Sequence, residues 1–238
     1  MTSASPIQSF WHGPSLTVME QMCLRSYLAH GHDVHLYVYQ APSSLPRGIT
    51  LRDASEIIPF SEAFVDEFGG FVNFSNRFRY TLLYLKGGWW VDMDTVCLRP
   101  FDFPEPFVFS SETMGARILV NTTYIKSTPG APFLKDCLDF MAWRGHEHLH
   151  WGELGVNLIS RMIFRNGLEQ FIQLPQIFCP VSGTELDRLI SPEGYPLPEE
   201  ARALHCYNEL WRRRGLDKSG VFPEGSLYER LKSQYLVP

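Results

Sequence analysis

Asp92 and Asp94 stand one residue apart, directly after the apolar run Trp89-Trp90-Val91. Inside a strand the pleat alternates, so two such carboxylates converge on one point only where the chain turns. A divalent cation is a reason to gather them, because hard cations take oxygen ligands. A cation held there bridges the phosphates of a nucleotide and, as a Lewis acid, stabilises a departing pyrophosphate. A bare Asp-x-Asp is equally the mark of an exposed turn with two solvated acids. The frame around it strengthens the signal: Arg79, Tyr80, Leu83, Tyr84, Gly87 and Gly88 precede the pair as R-Y-x-x-L-Y-x-x-G-G-x-x-x-D-x-D. Other polar groupings carry less. His146, His148 and His150 alternate without a carboxylate or cysteine at ligand spacing and read as a loop or helix start. Arg212-Arg213-Arg214 reads as a solvated charge run, and the sequon Asn121-Thr122-Thr123 as unmodified in a chain without a secretion signal.

The elements that must position these groups follow from periodicity. Ser75 is the expected N-cap of a helix over residues 75–86, with Phe78, Leu82 and Leu85 on one side. Asn76 and Arg79 fall on another face, three residues apart. Gly87-Gly88 ends the helix, since glycine enters left-handed conformations cheaply. A strand then runs into the two aspartates, and ligands of open α/β sheets bind beyond the carboxyl ends of strands. Upstream, a strand over 7–11, a helix opening at Ser15, a strand over 34–39 and a third over 49–51 form the strand-helix-strand pattern of a parallel sheet. A further helix is expected over 55–69. Downstream, strands are expected over 107–110, 118–125 and 171–174, helices over 131–142 and 155–165, and a loop-rich region from Pro175. The whole, residues 1–238, reads as one α/β domain with a mainly parallel central sheet. Its first part covers about 1–100, and the segments over about 101–238 complete a site on it.

Composition sets the outer limits. The 238 residues are 45% hydrophobic and 20% charged, an ordinary globular balance. Twenty-one Lys and Arg against 26 Asp and Glu leave a net charge of −5, which argues against a nucleic-acid binder. The five cysteines are scattered without a CxxC pair and read as buried thiols rather than a disulfide or zinc scaffold. No apolar run reaches the ~18 residues of a membrane span, and the first residues lack a secretory pattern. A cytoplasmic protein is expected, with room for peripheral association at the inner face of the membrane. Aromatic residues make up 14%, and most of them are expected in an ordinary core.

Residues 75–94 resemble the DxD-containing glycosyltransferase superfamily. It includes the initiation mannosyltransferases, the α-1,4-galactosyltransferase-like enzymes, bacterial polysaccharide transferases and, more distantly, the glucosylating toxins of clostridia. The family pattern is matched by Ser75, Arg79, Tyr80, Leu83, Gly87, Gly88, Asp92 and Asp94. Asn76 stands where an aspartate is usual and Trp90 where a tyrosine is usual. Weaker likenesses extend over residues 6–13, around Asn121, and through 203–211. The resemblance implies a GT-A fold, a nucleotide-sugar-binding sandwich, and retaining transfer of a hexose from a nucleotide-sugar, a UDP-hexose first, to an acceptor hydroxyl. The setting it suggests is surface-glycan synthesis. It further implies that Asp92, Asp94 and His205 hold Mn²⁺ or Mg²⁺ and that Arg79 grips phosphate or sugar. Trp11 would stack on the base, Asn76 and Asn121 would orient sugar hydroxyls, and Tyr80, Trp90, Tyr207 and Trp211 would wall the donor pocket. Two other readings use the same residues. In one, a haloacid-dehalogenase-like phosphatase uses Asp92 as nucleophile and Asp94 as acid/base. In the other, Asn76 marks a degenerate chain that binds a nucleotide-sugar as sensor or scaffold.

Overall fold

The computed structural model describes residues 5–66 and 70–236. Strand and helix alternate at the start as β1 (Ile7–Trp11), α1 (Val18–Ala29), β2 (Val34–Val38) and β3 (Thr50–Asp53). There follow α2 (Val72–Lys86), β4 (Gly88–Val91), β5 (Thr95–Cys97), β6 (Val108–Met114), β7 (Arg117–Ser127), α3 (Pro132–Arg144) and α4 (Val156–Arg165). The last part holds α5 (Pro175–Phe178), α6 (Asp187–Ile190), β8 (Ala203–His205), α7 (Asn208–Arg214) and α8 (Leu227–Leu236). Six strands form the main sheet in the order β3-β2-β1-β4-β7-β6, and β5 pairs with β8 in a separate ribbon. Strands β3, β2, β1 and β4 are mutually parallel, while β7 runs antiparallel to both β4 and β6. The expected α/β class and mainly parallel sheet are borne out.

Alternation along the central strands builds a core on each face. Phe10 and Trp90 pack with Phe74, Phe78 and Leu82 of α2, and with residues of α3 and α4. Ile7, Trp89 and Val91 pack on the other face with Leu24 and Tyr27 of α1. A third cluster joins α1 to α7, α8 and β8 through Met19, Met22, Leu204, Trp211 and Tyr228. The five cysteines are free and buried, as their spacing suggests.

Four local expectations are corrected. Residues 55–66 make two single 3₁₀ turns, Ala54–Glu56 and Phe60–Glu62, rather than a helix. Pro59 cannot donate an amide to a continuing helix, and the chain turns there. The remainder of that expected helix, 67–69, lies outside the described residues. Helix α2 begins at Val72, so Ser75 lies inside it. The cap comes instead from Asp66, whose carboxylate accepts the Asn73 N–H at 3.1 Å. In place of a strand over 171–174 there is a 3₁₀ turn, Glu169–Phe171, and a single bridge from Ile172 to Phe109. Pro175 then opens α5 and ends the pairing. The region after Pro175 contains three short helices, a strand and α8, and it closes over α1 and β5.

Candidate active site

A cavity of about 700 Å³ opens beyond the carboxyl ends of β1 and β4. The parallel order turns outward on both sides of these two strands, the switch point at which open α/β sheets bind ligands. Its walls include Trp11 at the end of β1 and His12 after it, Asp92 and Asp94 after β4, Glu112 on β6, Asn121 on β7, and His205 and Asn208 around β8. The β4 register depends on Gly87 (φ 65°) and Gly88 (φ 84°). A Cβ on Gly87 would stand 2.6 Å from Pro129 Cδ.

Arg79 and Asp92 form the inner wall. The guanidinium lies 3.1 Å from Asp92 Oδ1, donates to the Thr122 carbonyl at 2.5 Å, and sits 4.9 Å above the Trp90 ring. The Trp90 indole N–H donates to the same Asp92 oxygen at 2.9 Å. Burial pushes the Asp92 carboxyl above its ordinary range; Arg79 pulls it down and Asp94 pushes it further up. Arg79 is thus occupied in holding Asp92, and Asp92 Oδ1 faces two donors.

Asp94 turns the other way. Its Oδ2 lies 3.3 Å from His205 Nε2 and accepts the Asn208 N–H at 2.8 Å. Burial raises this carboxyl too, but the His205 charge and the hydrogen bonds from His205 and Asn208 outweigh it and hold the pKa at about 2. Burial lowers the His205 imidazole, and Asp94 more than reverses this, so that it lies well above its usual value. Pairing of β5 with β8 sets Thr95 opposite His205 and brings the histidine to the acid. Tyr207 holds a left-handed conformation (φ 56°, ψ 54°), costly for a tyrosine, and this turn aims the Asn208 amide at Asp94. Its ring lies against His205, with centroids 4.0 Å apart, and its hydroxyl donates to the Val181 carbonyl at 3.0 Å.

Among the described residues, no three His, Cys, Asp or Glu side chains form a ready-made metal cage. The chemistry of the donor set nevertheless suits a hard cation: two carboxylates reach the cavity wall, and the imidazole nitrogen faces Asp94 Oδ2. Magnesium-type ions are commonly held by one or two carboxylates, with substrate phosphates and waters filling the remaining positions.

The structure separates other expected site residues. Trp11, Arg79, Trp90, Asp92, Asp94, Asn121 and His205 line the cavity, whereas Asn76, Tyr80 and Trp211 do not. Asn76 is buried, with its amide against Gly155 at the start of α4. Tyr80, one turn further along the same stripe, donates to the Leu154 carbonyl at 3.2 Å. The Trp211 indole donates to the Cys206 carbonyl at 2.8 Å inside the third core. The Asn121 carboxamide is engaged by Ser110, Thr123 and Cys179, so its sequon is buried. His146 stacks on Phe64, away from the cavity. Arg213 departs from a plain solvated run: it pairs with Glu209 and lies 4.7 Å over Trp151 at the cavity wall. Tyr207, expected in the pocket wall, lines the cavity, whereas Glu112 and Asn208 line it without a role expected from sequence. The only sequence signal for Asn208 is its proximity to His205.

Residues 25–114 match the family described as "Glycosyltransferase sugar-binding region containing DXD motif". That match bears out the resemblance read from residues 75–94. A comparison with curated protein sequences gives no match. Among solved structures, the chain is similar to PaToxG glycosyltransferase, with a TM-score of 0.54 and 12% identity over 98% of this chain and 86% of that one. It is also similar to the apo-form glycosyltransferase GlyE of Streptococcus pneumoniae TIGR4, with a TM-score of 0.57 and 14% identity over 99% of this chain. The chain spans 61% of the length of GlyE. At such identities the likeness is one of fold, and the fold is that of glycosyltransferases. No helix among the described residues is long and apolar enough to cross a membrane.

Proposed function

We propose that the protein transfers a hexose from a nucleotide-sugar, with UDP-hexose the first candidate, to an acceptor hydroxyl in surface-glycan synthesis. The observation that carries this reading is the placing of Asp92 and Asp94 at the carboxyl end of β4, on the wall of a cavity that also reaches Trp11 and Asn121. Asp92, Asp94 and His205 are the residues to hold Mn²⁺ or Mg²⁺, which when bound neutralises diphosphate charge as a Lewis acid. Trp11 offers an aromatic face to the base. Arg79 holds Asp92 in register and would add positive charge near a bound diphosphate.

The bond from the anomeric carbon to the diphosphate oxygen breaks as a bond to the acceptor oxygen forms. The acceptor proton passes to the departing diphosphate on the same face, which retains the anomeric configuration. A cytoplasmic setting, with peripheral contact at the membrane, suits such an acceptor.

A thermal-shift panel of nucleotide-sugars, each with and without Mn²⁺, tests the reading, followed by an assay for released nucleoside diphosphate. Stabilisation by one nucleotide-sugar only when the cation is present, with turnover, is the expected result. Stabilisation without turnover would favour the sensor, and hydrolysis of a simple phosphoester without diphosphate release would favour the phosphatase.

A further inference from the structure

Asn208 is one of the hydrogen-bond donors to Asp94, and it is itself gripped from behind. The Asn208 side-chain oxygen accepts from Lys218 Nζ at 2.8 Å. Lys218, in the turn after α7, also pairs with Glu20 of α1. The Glu20 side chain is 1% exposed and the Lys218 side chain 21%. The second Glu20 oxygen accepts the Thr17 amide at 2.7 Å and the Thr17 hydroxyl at 2.5 Å. The Lys218 carbonyl is held in turn by the Tyr228 hydroxyl at 2.6 Å.

Two apolar residues commonly serve stability as well as a buried ion pair does, because desolvation offsets most of the Coulomb gain. This pair has a third partner, and that partner leads to Asp94. The neighbouring Tyr207 sits in a left-handed conformation that it holds only under restraint.

We infer that Glu20 and Lys218 are positioning residues that clamp Asn208 and so fix the orientation of the Asp94 carboxylate for a cation–nucleotide complex. The inference rests on the proposed transferase reading of the Asp92–Asp94 site. It ties the site to α1 and to the turn after α7, neither of which belongs to the Asp-x-Asp frame.

Lys218→Met, Asn208→Ala and the double variant test it, with Asp94→Ala as control. UDP binding is measured calorimetrically with Mn²⁺ and again with a chelator. Exchange of the Asn208 amide is followed without ligand. Partners that orient metal ligands commonly change affinity by 10–100-fold, so each single variant should weaken Mn²⁺-dependent UDP binding about 10-fold. Cation-free UDP binding should not change, and the backbone amide at position 208 should exchange faster. The double variant should bind no more weakly than the weaker single one, because both act through one contact.

Binding by folded Lys218→Met within about twofold of the parent, or additive losses in the double variant, would overturn the clamp. If Lys218→Met does not fold, Asn208→Ala decides alone, since it cuts the link and leaves the ion pair. If the parent itself binds no Mn²⁺–UDP, or Asp94→Ala binds it equally well, the transferase reading fails. Amide exchange still decides the clamp in that case: unchanged Asn208 exchange in Lys218→Met overturns it.

Discussion

Replacing Arg79 by methionine removes the cation that faces a buried carboxylate while keeping most of the aliphatic volume. The Arg79 side chain is 6% exposed and that of Asp92 23%, with 3.1 Å between guanidinium and Oδ1. Breaking a fully buried pair from one side costs about 3–5 kcal/mol. Asp92 keeps its bond from the Trp90 indole and is partly wet, so the loss is smaller, about 2–3 kcal/mol. For a domain of this size that is a fall in Tm of roughly 4–12 °C. Thermal unfolding followed by circular dichroism measures that fall, and urea unfolding the free energy.

The sign of the pH dependence follows from the same geometry. Burial already places Asp92 above the ordinary carboxylate range, and Arg79 restrains the rise. Without Arg79 the folded-state pKa climbs further above the unfolded value. Such a carboxyl contributes stability that is fully present below its unfolded pKa and lost as pH rises through the folded one. The deficit of Arg79→Met should therefore be larger at about pH 7.5 than at about pH 4.5. Adding Asp92→Asn should return part of it. A deficit below about 0.5 kcal/mol, or one that does not vary with pH, would refute the ion-pair account.

Three further outcomes are expected. Asp94→Ala should abolish both the Mn²⁺-dependent thermal shift with donor and the release of nucleoside diphosphate, and unchanged turnover would remove the cation site from Asp94. Gly87→Ala should lose more than about 2 kcal/mol in urea unfolding, because the residue is left-handed and the new methyl would meet Pro129. His32 accepts the Phe101 N–H at 3.2 Å, and burial, aided by His30, lowers its pKa. The unfolded state then takes up a proton first, so stability should fall as pH drops below about 6.5. His32→Gln should flatten that slope in unfolding curves taken across the range, and an unaltered slope would count against the assignment.

What the chain discloses before folding is local. The strand entering Asp92, the two glycines before it and the alternation of β1, α1 and β2 each depend on neighbours in sequence, and each is found in the structure. Helical spacing, by contrast, does not say which stripe meets the cavity. Asn76 and Tyr80 lie on the stripe that meets residues 154–155 at the start of α4, while Ser75 and Arg79 lie on the stripe beside it that faces Asp92. One residue of offset on α2 thus separates a core position from a site position. The expected helix over 55–69 shows the same limit, since Ile57 and Ile58 reach the core from short turns around Pro59. The clamp on Asp94 had no local signal, because Glu20, Asn208 and Lys218 meet only after the chain has folded back on itself.

The pairing of β5 with β8 has a consequence for how the protein is made. Thr95 and His205 are roughly a hundred residues apart, a long-range contact that closes slowly. On the ribosome, the main sheet has emerged well before the segment that carries His205, Asn208 and Lys218. A nascent chain therefore displays the Asp92–Asp94 corner before the residues that complete it. On the proposed function, competence to bind a nucleotide-sugar would come only after the segment through Lys218 has emerged. An arrested chain ending before residue 203 would accordingly have a formed β4 and no response to Mn²⁺ and UDP.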